Sequence, residues 1–350
     1  MTFNASLAAA AVGSFPHKDV ERACRLVLEC FPEIPFWPQL PAASLYEQME
    51  IQFSEGLPCI VIDERKERMY FSSNGDSVEA LERFFENYLA DNIEYFAITE
   101  KHARGIKAIE ELLKNSELPE MKYFKMHVTG PVSFGLSIVD ENKRAIYYDD
   151  MFRDVLVKGM AMKARWQMRR FTQLFNKLIC IIDEPILSAF GSSTYVSVHR
   201  ENVVEQIGEV INAVHEEGGL AGIHCCGNTE WTIPIDAGVD IISFDAYEYG
   251  YSIALYPAEI ADFLDKGGIL AWGIIPTSDK FDQYTTDTLI AKYESLLNDF
   301  ASKGIDKELL IANSLLTATC GTGSVPIGRA ERIARETKMV SDRLRDKYRV

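Results

Sequence analysis

"GGLAGIHCCGNTEW", residues 218–231, decides how the rest of the chain is read. A Gly-Gly pair opens it, an apolar run of strand length follows, and a Gly-Asn turn signal closes it. The run delivers a histidine and two cysteines at its end. Side chains alternate faces along a strand, so His224 and Cys226 point one way and Cys225 the other. An imidazole and a thiolate side by side are good zinc donors, but two ligands do not make a site. A cysteine is also a small hydrophobe that packs well in cores. At this point the metal reading and the buried-strand reading both stand.

Working outward, similar runs recur between longer helical patterns, which is the rhythm of a parallel α/β protein. The expected strands are Leu7–Gly13, Ile93–Thr99, Phe124–Thr129, Leu178–Asp183, Leu220–His224, Asp240–Asp245, Ile269–Gly273 and Leu309–Ala312. Helical spacing of apolar residues marks Met151–Phe175, Arg200–Glu217, Thr286–Lys303 and Arg329–Tyr348. Eight strand–helix units predict a (β/α)₈ TIM barrel. Residues 17–92 exceed what one unit needs. Within them "PCIVIDE" (58–64) and "RMYFSS" (68–73) read as a hairpin, an insertion after the first strand. A doubly wound open sheet has the same periodicity and is the alternative. No repeat or Gly/Ser linker divides the chain, so residues 1–350 read as one domain.

Composition narrows the function classes. The chain has 350 residues, 47% of them hydrophobic and 25% charged, as in ordinary globular enzymes. With 52 acidic against 36 basic residues the formal charge is -16, which argues against nucleic acid or anionic membranes as partners. The opening "MTFNASLAAAAVGSFPHK" lacks the early positive charge of a secretory signal, and no run has the length of a membrane span. Seven scattered cysteines do not form a disulfide framework. The expected location is cytoplasmic.

In a barrel, residues just past the carboxyl ends of the strands share one mouth. Here they are Ser14, Thr129, Asp183 with Glu184 in "LICIIDEP", His224 with Cys226, Asp245 in "VDIISFDAY", Trp272, and Cys320 in "LLTATCGTGS". Asp245 and Cys320 could complete a metal site with His224 and Cys226. Simpler roles exist for several residues. Asp183 could cap a helix, "GSF" (13–15) could be a tight turn, and His127 could be a hydrogen-bonded core histidine. His17, His102, His199 and His215 read as surface or helix residues. Cys24, Cys30, Cys59 and Cys180 read as core. "PFWPQLPAASLYEQM" (35–49) reads as either an ordered lid or docking loop, or insertion packing.

Taken in order, "VGSFP" (12–16), "DEP" (183–185), "IHCCGNT" (223–229), "IISFD" (241–245) and "TCGTGS" (319–324) resemble the catalytic domain of cobalamin-independent methionine synthase. They also resemble the corrinoid-linked methyltransferases of the uroporphyrinogen decarboxylase superfamily. The resemblance implies a TIM barrel holding Zn²⁺ by His224, Cys226 and Cys320, with Asp245, or Glu248 in its place, as a fourth ligand. It implies substrate binding by Gly13, Ser14 and Asp183, with Asp183 also catalytic. It departs from the methionine synthase pattern in three ways. There is no amino-terminal second barrel, an acidic substrate residue is missing near Ala189, and Ile274 and Ile275 stand where a proton-donating histidine is expected.

The resemblance therefore implies a zinc-dependent methyltransferase that moves a methyl group from a methylated corrinoid (methylcobalamin), not tightly bound, to a thiol. Homocysteine, giving methionine, is the expected acceptor, and a corrinoid protein is a possible partner. A corrinoid leaving group needs no proton, whereas the nitrogen of a methylfolate donor does. The alternatives are methyltetrahydrofolate as donor, a coenzyme M-like thiol as acceptor, or a uroporphyrinogen decarboxylase-like enzyme with an arginine-rich cleft. A zinc-stabilised binding partner without turnover is the non-enzymatic reading.

Overall fold

Strands that are buried on both faces need nearly continuous apolar runs, and those around the candidate ligands have them. A computed structural model of the chain describes residues 3–72, 77–114, 121–195 and 197–350. The strands are β1 (Ala8–Ala9), β2 (Ile60–Asp63), β3 (Arg68–Phe71), β4 (Phe124–Thr129), β5 (Leu178–Asp183), β6 (Leu220–Cys225), β7 (Ile241–Phe244), β8 (Ile269–Ile275) and β9 (Ser314–Ala318). Seven of them form one curled parallel sheet in the order β1-β9-β8-β7-β6-β5-β4, with helices around it. The fold is the barrel type read from the sequence. β2 and β3 form the expected antiparallel hairpin, with Asp63 opposite Arg68; Ser73 of the quoted stretch lies outside the described residues.

Two strand assignments are corrected. Ile93–Thr99 is no strand; Ile93–Phe96 is a 3₁₀ turn packed on the long helix Asp150–Thr172. Residues 35–39 occupy the gap between β1 and β4 instead. Phe36 pairs in parallel with Lys125, and Gln39 with Ser14 just beyond β1. The Lys125 N–H donates to Pro35 O at 2.8 Å, and the Phe15 N–H to Gln39 O at 2.8 Å. Pro35 and Pro38 have no N–H to give, so the contact remains a pair of bridges rather than a full ladder. At the other end, Leu309–Ala312 belongs to the helix Lys307–Ala312, whose first turn is capped by Asp306. The strand begins two residues later, at Ser314.

Alternation then sorts the side chains. Cys180, Ile182, Ile223, Cys225, Ile242, Phe244 and Trp272 join the large apolar layer between sheet and helices. Ala8, Ala10, Ile179, Ile181, Ile241, Ile269, Ala271 and Leu315 form a separate cluster that fills the barrel floor. Above that floor the inward positions turn polar: Lys125, His127, Asp183, His224, Ser243 and Thr317. The dry floor plugs the barrel, so chemistry is confined to one end.

The segment after residue 39 roofs that end. Gln39 Nε2 donates to Gln52 Oε1 at 2.8 Å, and Gln52 Nε2 to His102 O at 2.7 Å. Buried Glu47 accepts from Leu40 N at 3.0 Å and from Arg104 Nε at 2.7 Å. Thr129 Oγ1 donates to Met49 O at 2.9 Å. The stretch 35–49 is thus an extended segment bridging β1 and β4, followed by a pinned roof. His102 and His17 are buried rather than superficial, paired with Glu55 at 3.1 Å and Glu331 at 3.2 Å.

Glu55 gives the fold a defined acid limb. Burial alone would raise its carboxyl, but hydrogen bonds from His102 and from Thr99 N and Oγ1 hold it down to about 2, against an ordinary 4.5. A depressed folded value contributes stability that is complete above the unfolded pKa and lost as pH falls through the folded one. The stability difference between wild type and Glu55→Gln is therefore expected to be present in full at about pH 5. It should shrink as pH falls from 4.5 toward 2. Urea melts across that range check this; a constant difference down to pH 2.5 would count against it. Among the described residues no helix is long and apolar enough to cross a membrane.

Candidate metal centre

His224 and Cys226 leave the end of β6 facing into the barrel, and Cys225 faces out, where burial pushes its thiol up to about 12. β6 and β7 are in register at His224 and Ser243. That places Ser243 Oγ 3.0 Å from His224 Nδ1. With Nδ1–H donating to the serine, the Nε2 lone pair is free, and Nε2 is buried without a partner. A metal-ligating imidazole commonly has its second nitrogen fixed in this way.

Cys320 arrives from beyond β9 on a loop tied to the first strand's loop. Ser14 O accepts from Thr322 N and Thr322 Oγ1, both at 2.9 Å, and Ser14 Oγ accepts from Gly323 N at 3.2 Å. Gly321 is required here, since a Cβ on it would fall 2.1 Å from Ser14 Oγ. The donor atoms of His224, Cys226 and Cys320 come within 4.8 Å of one another. Tetrahedral zinc, with bonds of about 2.0–2.3 Å, spaces its ligands roughly 3.3–3.8 Å apart, so small side-chain rotations suffice. The Cys226 thiol is lowered by its hydrogen bond with Cys320 and by His224, while Cys320 is raised. Of the pair, Cys226 gives up its proton first. All seven cysteines are free thiols. A nitrogen and two sulfurs, with an unpartnered nitrogen aimed at the common point, fit a zinc ion.

The other predicted residues divide. Asp183 ends β5 in register with His224; its Oδ1 is buried without a partner. Burial pushes it up to about 6, against the pull of His224 and Lys125. Ser14 lines the cavity, while Gly13, at φ 138°, turns its bare face to His127. Asp245 is not in the converging group. Its short side chain caps the helix Ala246–Ile253 by accepting from Glu248 N at 2.8 Å, and burial raises it to about 7. Glu248 is exposed and paired with Lys280. Trp272 points outward and donates to Ser314 Oγ at 2.8 Å. Glu184 is fully buried, accepting from Val132 N at 2.9 Å and from Ser133 N and Oγ at 2.8 and 2.6 Å.

These walls enclose a cavity of about 460 Å³ under the roof, lined by Ser14, Gln39, Met49, Asp183, His224, Cys226 and Cys320. His127 lines it too. Sequence reasoning treated His127 as core and passed over Ser243. The strand registers carry the signal for Ser243, which sits two residues before Asp245 on the inward face. Ser243→Ala is expected to weaken zinc binding about 10- to 100-fold with the fold unchanged. Competition against a chelator measures this, and equal affinity would remove the serine from the centre.

A three-donor N/S/S centre at the mouth of an α/β barrel, with room beside it for a small substrate, defines a candidate metal-dependent active site. No protein-family model matches the chain, and no curated protein does. Among solved structures, a methyltransferase from Methanosarcina mazei shares the fold, with a TM-score of 0.53 over 98% of this chain and 94% of that one, at 12% identity. At that identity the likeness establishes the fold.

Proposed function

We propose that the chain is a zinc-dependent methyltransferase that passes a methyl group from a methylated corrinoid to a thiol, with homocysteine as the first acceptor to test. The observation that carries this reading is the convergence of His224 Nε2 and the sulfurs of Cys226 and Cys320 on one point. Zinc held there by three protein ligands supplies a Lewis acid with a replaceable fourth position, where a thiol is kept as thiolate at neutral pH. The fold shared with a methyltransferase is in keeping with it.

The chain's own residues do the rest. Ser243 fixes the tautomer and angle of His224. Asp183, ionised above about pH 6, would receive the ammonium of an amino-acid acceptor. The roof from Pro41 to Met49 limits water around the reacting sulfur. Ile274 and Ile275 end β8 with buried apolar side chains, so the histidine that the resemblance expects there is missing. That favours a donor whose leaving group needs no proton, a corrinoid, over methyltetrahydrofolate. No arginine lines the cavity among the described residues. Arg22 and Arg25 are exposed on the helix Val20–Cys30 and paired with Glu331 and Glu21. A polycarboxylate substrate is therefore poorly served.

The test is metal analysis joined to a donor trial. About one zinc per chain and methyl transfer from methylcobalamin to homocysteine are expected. Full activity in metal-free protein, or turnover only with methyltetrahydrofolate, would overturn the reading.

A further inference from the structure

Two polar side chains of β4, Lys125 and His127, point into the barrel beside the metal ligands, and the reading above gives neither a task. His127 is 2% exposed, yet neither of its ring nitrogens has a partner among the described residues. Its ring lies on Trp37 with centroids 3.9 Å apart, and Phe53 meets its face edge-on. The platform is fixed: Trp37 Nε1 donates to Gln167 Oε1 at 2.9 Å, and Gln167 Nε2 donates to His127 O at 2.9 Å. A rigid, buried, unpartnered imidazole lining a cavity is an unmet hydrogen-bonding demand.

Lys125 lies one inward position below. Its Nζ donates to Val12 O at 2.6 Å, which uses one of the three ammonium donors. Both groups converge on Gly13. A Cβ built on that glycine would fall 3.3 Å from His127 Nδ1 and 3.6 Å from Lys125 Nζ. On the neighbouring strand β5 stands the unpartnered Oδ1 of Asp183. The imidazole and the carboxylate therefore both line the cavity, and the ammonium lies just behind the lining, beneath the imidazole.

We propose that Lys125 and His127 are specificity residues for the anionic head group of the thiol acceptor, His127 meeting it at the cavity wall beside Gly13 and Lys125 supplying charge from beneath. This inference rests on the reading of the cavity as a thiol acceptor's site. Burial brings Lys125 down to about 8, so it is still charged at neutral pH. His127 is held neutral by burial and by the neighbouring Lys125; it contributes one N–H. The two groups serve any thiol with a carboxylate or sulfonate at the end away from sulfur. A carboxylate that also carries an ammonium would satisfy Asp183 as well. A sulfonate thiol without one would leave Asp183 unmatched.

Sulfur-free analogues isolate this corner from the metal. Binding of 2-aminobutyrate, ethanesulfonate and uncharged 1-propanol would be measured by calorimetry on the full chain, zinc-loaded and zinc-free. At least one anion is expected to bind and propanol not. Lys125→Met should weaken the anion about tenfold or more, and His127→Met about threefold or more, with zinc content unchanged. Preference for 2-aminobutyrate assigns an amino-acid head group; preference for ethanesulfonate assigns a sulfonate. Unchanged affinity in both variants, or no anion binding at all, overturns the proposal. Should Lys125→Met fail to fold, as judged by circular dichroism, the volume-matched His127→Met decides. Anion binding that both variants weaken, in a chain that holds no zinc and transfers no methyl group, would sink the methyltransferase reading and leave the anion corner standing.

Discussion

Cys320→Ser is expected to reduce bound zinc from about one per chain to a small fraction and to slow methyl transfer roughly a thousandfold. Serine keeps the size of the side chain but offers a hydroxyl that is not ionised at neutral pH, in place of a soft thiolate. The remaining pair, His224 and Cys226, is the two-donor set that does not constitute a site. The loop itself should persist, because its ties run through Ser14, Thr322 and Gly323 rather than through the thiol. Melting temperature should therefore move little beyond what loss of the ion removes. Zinc determination, initial rates and a thermal melt on the same preparation separate these effects. Full occupancy with an undiminished rate would end the case for the centre.

Gly130→Ala is expected to have the largest effect on stability, about 3 kcal/mol or more. A Cβ at residue 130 would fall 2.1 Å from Glu184 Oε1 and 2.2 Å from its carboxyl carbon. That carboxylate has no room to retreat, being fully buried and bound by three donors from the helix Pro131–Ser137. Moving it strands a buried acid and opens the helix start together. Asp183 precedes it in the chain, so acceptor binding should fall as well. Gly328→Ala is the control, since a Cβ there meets nothing within 4 Å. A denaturant titration in which both variants match wild type would refute the account of Glu184.

What could be read from the sequence followed from how strongly each feature is imposed locally. Six strands stood out because burial on both faces forces continuous apolar runs, as in "LICIID" and "LAGIHC". Part of the converging group could be read because alternation puts His224 and Cys226 on one face whatever else the fold does. The bridging segment at 35–39 was hidden by its prolines, which are poor strand residues and leave only isolated bridges to their neighbours. Ile93–Thr99 misled in the opposite sense, its aromatic and β-branched composition serving a 3₁₀ turn against a helix. Asp245 has the right residue type in the right place, yet the backbone of the following helix takes its carboxylate. His127 shows where sequence stops. Its inward direction follows from periodicity, but whether an imidazole finds partners depends on neighbours from Trp37, Gly13 and β5.

The tie between Ser14 and Thr322 sets an order of events during synthesis. The imidazole and first thiolate emerge well before Cys320, and a nascent chain lacking its final strand has only two donors for an ion. If the proposed zinc is bound, its loading would wait until the carboxyl-terminal segment docks on the amino-terminal one, and zinc uptake would serve as a clock for barrel closure. Truncation before residue 320 should release a polypeptide that no excess of zinc can rescue.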